Sequence, residues 1–201
     1  MRQGTSSKVN MAVNPTAQKI LTVAQQSVQT KGFNGFSYRD LAAEIGIKTS
    51  SIHYHFPTKD ALALELVKTY HAAFNLELDR ITAESGNGRS QLEKYIELFE
   101  RNLAVDNKFC LCGMLASEIN SLSNEVKQAI QSFFTANELW LSRVIANGQK
   151  DGSIKNIGSA DLLATQLLAT LEGAMLIVRS MEKDNLAKFQ QIIKSMVKSF
   201  Y

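Results

Sequence analysis

The stretch at residues 45–62, IGIKTSSIHYHFPTKDAL, constrains the fold more than any other part of the chain. Gly46 stands between two apolar anchors, Ile45 and Ile47, and reads as a helix stop. Thr49 and Ser50 follow as candidate N-caps, so the chain restarts at once as a second short helix. Two short helices joined by such a turn form a helix-turn-helix unit. On the second helix Ile52 and Phe56 are four apart and share a face, whereas Ser51, Tyr54 and His55 point elsewhere, flanked by Thr49, Ser50 and His53. One face is apolar and holds the helix down; the other is polar and aromatic, suited to DNA.

The rest of the chain supplies an all-α setting for that unit. With 201 residues, 45% of them hydrophobic, the chain can build a sizeable core as a folded soluble protein. Prolines are confined to Pro15 and Pro57, and no Asn-Gly turn is flanked by alternating strand patterns. A run of about 18 consecutive apolar residues is missing, and the first residues lack the apolar stretch of a signal peptide, which predicts a cytoplasmic protein with no membrane partner. Cys110 and Cys112 are too close together for a structural disulfide framework, in keeping with a reducing compartment.

Charge is distributed unevenly. Residues 1–60 hold seven basic against three acidic side chains, a net +4 within a chain whose total is +3, so the remainder sums to −1. A basic N-terminal third beside a near-neutral remainder is the footprint of a nucleic-acid-binding head on a body that binds something else.

Read in order, residues 1–14 form a polar, aperiodic arm carrying Arg2 and Lys8, predicted to be disordered. A head spans 15–60 and a body 61–201. Pro15 suits a first helical turn, and Ile20, Leu21, Ala24 and Val28 recur at helical spacing up to Gly32. Ser37 with Asp40 resembles a capping box opening the next helix. Thr58 caps a long helix at about 59–81, in which Leu62, Leu66, Tyr70, Phe74 and Leu78 recur every four residues and which can join head to body rigidly. SGNGRS at 85–90 reads as the one flexible linker. Further helices are expected after it, near 110–120, from a Ser123 cap to about 150, at 162–179 and at 186–200. The total is about nine.

The combination GFNGFSYRDLAAEIGIKTSSIHYHFPTKDAL resembles the N-terminal DNA-binding domain of the TetR-type (TetR/AcrR) transcriptional regulators. Its marks are Gly32-Phe33, Leu41-Ala42, Gly46, Phe56, Lys59 and Leu62, and they cover about residues 15–65. The resemblance implies an N-terminal three-helix helix-turn-helix domain and a C-terminal helical ligand-binding and dimerisation domain. It also implies a ligand-responsive regulator, a repressor in the first instance, that binds a palindromic operator as a homodimer. The chain departs from the family at His53, where tyrosine is common.

Residue chemistry divides the DNA contacts. Lys48, Lys59 and the hydroxyls of Ser37, Thr49 and Ser50 are of the types that hold phosphates, whereas Ser51, His53, Tyr54 and His55 are candidates for base edges. In the body, Phe74, Tyr95, Phe99, Met114, Phe133 and Trp140, with the polar Glu118, Asn137 and Glu172, are candidates to line an apolar cavity for a small effector. Leu163, Leu167, Thr170, Ala174, Ile177, Ile193 and Val197 on the last two helices suggest a two-fold four-helix dimer interface.

Cys110 joins the effector set for a different reason. The segment CLCGMLASEINSLSNEVK is similar to one in TetR-type repressors that sense electrophiles through a cysteine, and a helix N-terminus lowers a thiol pKa, so Cys110, with Cys112, offers an alternative redox-sensing repressor. No histidine or acid pattern makes the pair a metal site, and no cofactor is expected. An enzyme lacks its parts: His53, His55 and His71 stand with no nucleophile motif, phosphate loop or HExxH pair. A DNA-free all-α interaction module is the remaining class.

Overall fold

A computed structural model describes residues 14–105, 107–181 and 183–201. The arm with Arg2 and Lys8 therefore lies outside the described residues, apart from Asn14. Among the described residues there are nine α-helices and no strand. The head holds α1 (Pro15–Lys31), α2 (Tyr38–Ile45) and α3 (Thr49–His55); the body holds α4 (Lys59–Glu84), α5 (Gly88–Ala104), α6 (Leu111–Ser117), α7 (Asn124–Asp151), α8 (Ala160–Arg179) and α9 (Asn185–Val197).

Local chemistry accounts for most helix ends. Asn14 caps α1, its Oδ1 accepting from Thr16 N–H at 2.9 Å ahead of a proline that needs no partner for its nitrogen. Ser37 and Asp40 form the expected capping box, Gly46 closes α2 in the left-handed region at φ 78°, and Thr58 caps α4 through Ala61 N–H at 3.0 Å. The start of α3 differs from expectation. Its N-cap is Lys48 rather than Thr49 or Ser50, and no side chain closes the first turn.

Ile20, Ala24, Val28, Leu41, Ile52 and Leu62 are buried completely, so the three head helices and the start of α4 share one apolar centre. At about 1.5–3 kcal/mol for each buried aliphatic side chain, this centre stabilises a head of three short helices that would not persist singly. The four-residue stripe along α4, Leu62 through Leu78, is buried as its spacing predicts.

Two body expectations change. Residues 85–90 are a tight corner rather than a flexible linker: Gly88 already belongs to α5 and lies directly on the Gly148 backbone of α7, where any side chain would collide. The first amides of α5 are also tied across it, Gly88 N–H to Asp151 Oδ2 at 3.4 Å and Arg89 N–H to Ser153 Oγ at 3.2 Å. The second change concerns α8, which packs against α7 and α9. Leu163, Leu167 and Ala174, with Ile193 and Val197 of α9, are buried inside the protomer and are corrected from dimer face to core. Thr170 is half-buried, and Ile177 alone of the expected set is well exposed, beside Leu176 and in line with Leu162. The reason is that α8 is apolar nearly all round, so its composition does not mark its inner face. By length and mean hydropathy (1.5) α8 alone among the described residues could cross a membrane, yet close to half of it is buried in the body (44%).

Candidate functional site

In α3 the two faces separate cleanly. Ile52 is fully buried and Phe56, just past the helix, is 6% exposed, whereas Tyr54 is 82% exposed. The Tyr54 ring meets the half-buried His55 edge-on at 5.1 Å. His53 is exposed and lies edge-on against Tyr38 at 4.8 Å. Lys48 and Ser50 are exposed and Thr49 and Ser51 half-buried, so cation, hydroxyls and rings share the outer surface of one short helix. Such a surface can contact phosphate oxygens at its margins and base edges at its centre.

Two expected phosphate ligands are committed elsewhere. Ser37 is exposed, but its hydroxyl donates to Asp40 Oδ2 at 2.7 Å and its N–H does so at 2.8 Å, bonds that hold the Asp40 carboxyl below its ordinary range. Lys59 is corrected from phosphate anchor to internal tie. Its ammonium donates to the carbonyls of Phe33 and Phe36, the latter at 2.6 Å, and lies 4.6 and 4.3 Å from their ring centroids. Partial burial lowers its pKa.

Tyr38 is a member that sequence reasoning missed. Its buried hydroxyl donates toward the carbonyls of Phe56 (2.9 Å) and Thr58 (2.6 Å), which pins the end of α3 to the start of α4, and burial pushes its pKa up to about 12. An aromatic opening the helix before the turn, in FSYRD, was the available signal.

The body rings are packed on each other. Tyr95 stacks on Trp140 at 5.4 Å and touches Phe99 at 5.5 Å, while Phe74 meets Phe133 at 5.3 Å and Tyr95 at 6.1 Å. Tyr95 donates to Asn137 Oδ1 at 2.9 Å, and Asn137 Nδ2 donates to the Phe133 carbonyl at 2.8 Å, so this fully buried amide has partners for both its oxygen and its nitrogen. Two expected members stand apart. Glu118 reaches the head, where it accepts from Phe33 N–H at 2.7 Å, and Met114 is buried against Arg179 and close to where a Gly32 side chain would lie.

Cys110 is the N-cap of α6, its sulfur accepting from Gly113 N–H at 3.5 Å, yet it is only 3% exposed. Burial raises its pKa well above the ordinary thiol value, and the nearby Glu172 and Cys112 add to the rise. Cys112 is raised too, by burial first and then by Glu172. Desolvation therefore outweighs the helix terminus, and Cys110 is a buried thiol rather than the activated thiolate that the alternative sensing reading needs. Burial likewise pushes the Glu172 carboxyl up to about 7, and its Oε1 has no hydrogen-bond partner among the described residues.

A cavity of about 530 Å³ lies outside the ring cluster, at the seam of head and body. Gln25, Gln26 and Gln29 of α1 face Tyr70, Phe74 and Glu77 of α4 and Leu98, Arg101 and Asn102 of α5 across it. Of the expected pocket residues only Phe74 lines it.

Comparison with known proteins agrees with this arrangement. The family described as "Bacterial regulatory proteins, tetR family" matches residues 20–66, and "Tetracyclin repressor-like, C-terminal domain" matches residues 88–193. The chain is 26% identical over 174 residues to the HTH-type transcriptional repressor DhaR of Mycobacterium sp. (strain GP1), covering 83% of each. A TetR-family transcriptional regulator from Agrobacterium tumefaciens superposes with a TM-score of 0.87 at 32% identity over 93% of this chain and 99% of that one. A TetR regulator from Legionella pneumophila does so with 0.81 at 28% over 95% and 100%. The chain belongs to the TetR family. It is a helix-turn-helix transcriptional regulator and not an enzyme.

Proposed function

We propose that this protein is a cytoplasmic repressor that binds a palindromic operator as a homodimer and leaves it when a small, largely apolar effector binds. One observation carries the reading: α3 turns a bare aromatic, Tyr54, and the exposed His53 outward, with His55 half-buried beside them, while Ile52 holds it to the head. Tyr54, His55, His53 and Ser51 read base edges; Lys48, Thr49 and Ser50 hold phosphates and set register. Dimerisation uses the exposed side of α8, with Leu162, Leu176 and Ile177, and places two copies of α3 about 34 Å apart.

The effector occupies the seam cavity, whose volume is in the range of small-molecule sites and whose floor is Tyr70, Phe74 and Leu98. Since α1 and α4 both line it, an occupant acts on the head and on the lever that begins just after α3. To move the operator from 99% to 1% bound, the effector must favour the released state by about 10⁴-fold. That DhaR bears the name repressor supports the direction of control.

The test is selection of bound sequences from random DNA, followed by binding at several salt concentrations. A palindromic consensus and affinity that falls steeply with salt are expected. A non-palindromic consensus overturns the dimeric reading, and no salt-dependent binding to any DNA overturns the whole.

A further inference from the structure

Between α1 and α2 the chain makes a 3-10 turn, Phe33–Gly35, whose first amides point at a carboxylate of the body. Phe33 N–H donates to Glu118 Oε1 at 2.7 Å, Asn34 N–H donates to Oε2 at 3.0 Å, and the Asn34 side-chain amide donates to the same oxygen. Glu118 ends α6, a body helix that packs along α1. The opposite side of the turn is taken by Lys59, whose ammonium holds the Phe33 and Phe36 carbonyls. A body carboxylate thus grips the N–H side of the turn and the first residue of α4 grips its C=O side.

This grip governs how the sequence is built around it. Gly32 adopts φ 86°, and a side chain there would come within 2.6 Å of Glu118 Oε1, so a glycine both makes the turn and admits the carboxylate. The neighbouring ties converge on the same end of α1. Gln29 Nε2 donates to the Phe109 carbonyl at 2.8 Å, Phe109 N–H donates back to the Gln29 carbonyl at 3.3 Å, and Arg179 reaches the Thr30 carbonyl at 3.4 Å. Lys59 follows Phe56 by three residues, and Tyr38 bonds the carbonyls of Phe56 and Thr58 on the way. Polar contacts joined through the Thr58–Lys59 peptide link therefore lead from the end of α6 to the end of α3.

We propose that Glu118 is a positioning residue for DNA recognition: by gripping the turn at residues 33–35 it fixes the angle at which the head leaves the body, and so sets which half-site spacing the dimer accepts. This rests on the dimeric-operator reading above. One added base pair moves a half-site by about 3.4 Å and about 35° around the duplex, a shift that two rigidly held heads cannot follow and two loosened heads can.

Two measurements on the full chain test it. In the first, spin labels are placed through Arg39→Cys in the head and Gln131→Cys on α7, both exposed, with labelled protein diluted into unlabelled protein. Pulsed dipolar spectroscopy should give one narrow head-to-body distance in the parent, a broad one with Glu118→Ala, and an intermediate one with Glu118→Gln, which keeps a single acceptor oxygen. In the second, the selected operator is lengthened by one central base pair. The parent should lose about 30-fold in affinity or more and the Ala variant about threefold or less, within the usual range of coupling between sites.

Equal distance distributions in parent and variant, or equal spacing penalties in variants that melt as cooperatively as the parent, overturn the proposal. Should the parent bind no DNA, the operator reading fails by itself, and an unbroadened distance in Glu118→Ala then sinks the grip as well.

Discussion

Helices α3 and α8 each bury one side and expose the other, and their exposed sides differ in chemistry. The outer side of α3 carries Tyr54, His53, Ser50 and Lys48, groups that make hydrogen bonds through their tips. The outer side of α8 carries Leu162, Leu176 and Ile177, 59%, 49% and 60% exposed, with Ala169 and the half-buried Gly173 between them. A polar aromatic surface in a basic third of the chain suits nucleic acid; an apolar stripe with small residues suits a second protein helix. The most direct way to break the comparison is to charge the α8 stripe. Ile177→Glu should leave a folded protomer but dissociate the dimer in sedimentation, and operator affinity should fall roughly 10³-fold as two half-site contacts become independent. A variant that stays dimeric would move the interface off α8.

The buried sides differ as well. Beneath α3 lie Ile52 and Phe56, whereas α8 brings Glu172 against the first turn of α6, where a side chain at Gly113 would overlap its carboxylate. Its folded pKa of about 7 stands above the ordinary 4.5 because burial penalises the charged form. The folded state therefore keeps a proton that the unfolded chain gives up as pH rises through 4.5, so stability falls between pH 4.5 and 7 and is level above. The loss amounts to about 3 kcal/mol at most. Denaturation at pH 5 and pH 8 should show this fall in the parent and a much smaller one in Glu172→Gln; equal slopes in both would mean that the carboxylate is solvated.

The same contrast explains what was legible in the sequence. In α3, seven residues long, the apolar Ile52 and the following Phe56 stand out against hydroxyls, histidines and a tyrosine, so the faces are readable from spacing alone. Helix α8 offers no such contrast, and side chains one position away from the truly exposed stripe satisfy the same periodicity; only packing against α7 and α9 decides between them. Lys59 and Glu118 were unreadable for another reason. Each is a charged residue on a local surface, and its partner is a backbone group 26 or 85 residues away, which no local pattern encodes. Gly88 read as flexible because glycine loosens an isolated chain, yet it serves close contact with Gly148.

A sharper cut within α3 separates base reading from phosphate holding. Tyr54→Ala should lower discrimination between the selected operator and its single-base variants by about 1–3 kcal/mol at the bases it touches. Lys48→Ala should weaken all sequences alike and reduce the salt slope by about 1. Equal loss on every sequence for Tyr54→Ala would place that ring on the backbone and leave His53 and His55 as the readers.

Lys59 supplies the finest distinction, because it follows the last residue of α3, His55, by only four positions and yet faces inward. If its ammonium serves the Phe33 and Phe36 carbonyls, Lys59→Met keeps the apolar stem under the two rings but removes the charged donor, leaving two acceptors with one tie fewer. A loss of about 1–2 kcal/mol in stability is expected, as for a hydrogen bond to a charged group discounted for partial exposure. The salt slope of operator binding should stay that of the parent, since no phosphate contact is lost. A slope lowered by about 1 with unchanged melting would return Lys59 to the phosphate-holding group with Lys48, and the boundary of the DNA surface would then move from the end of α3 to the first turn of α4.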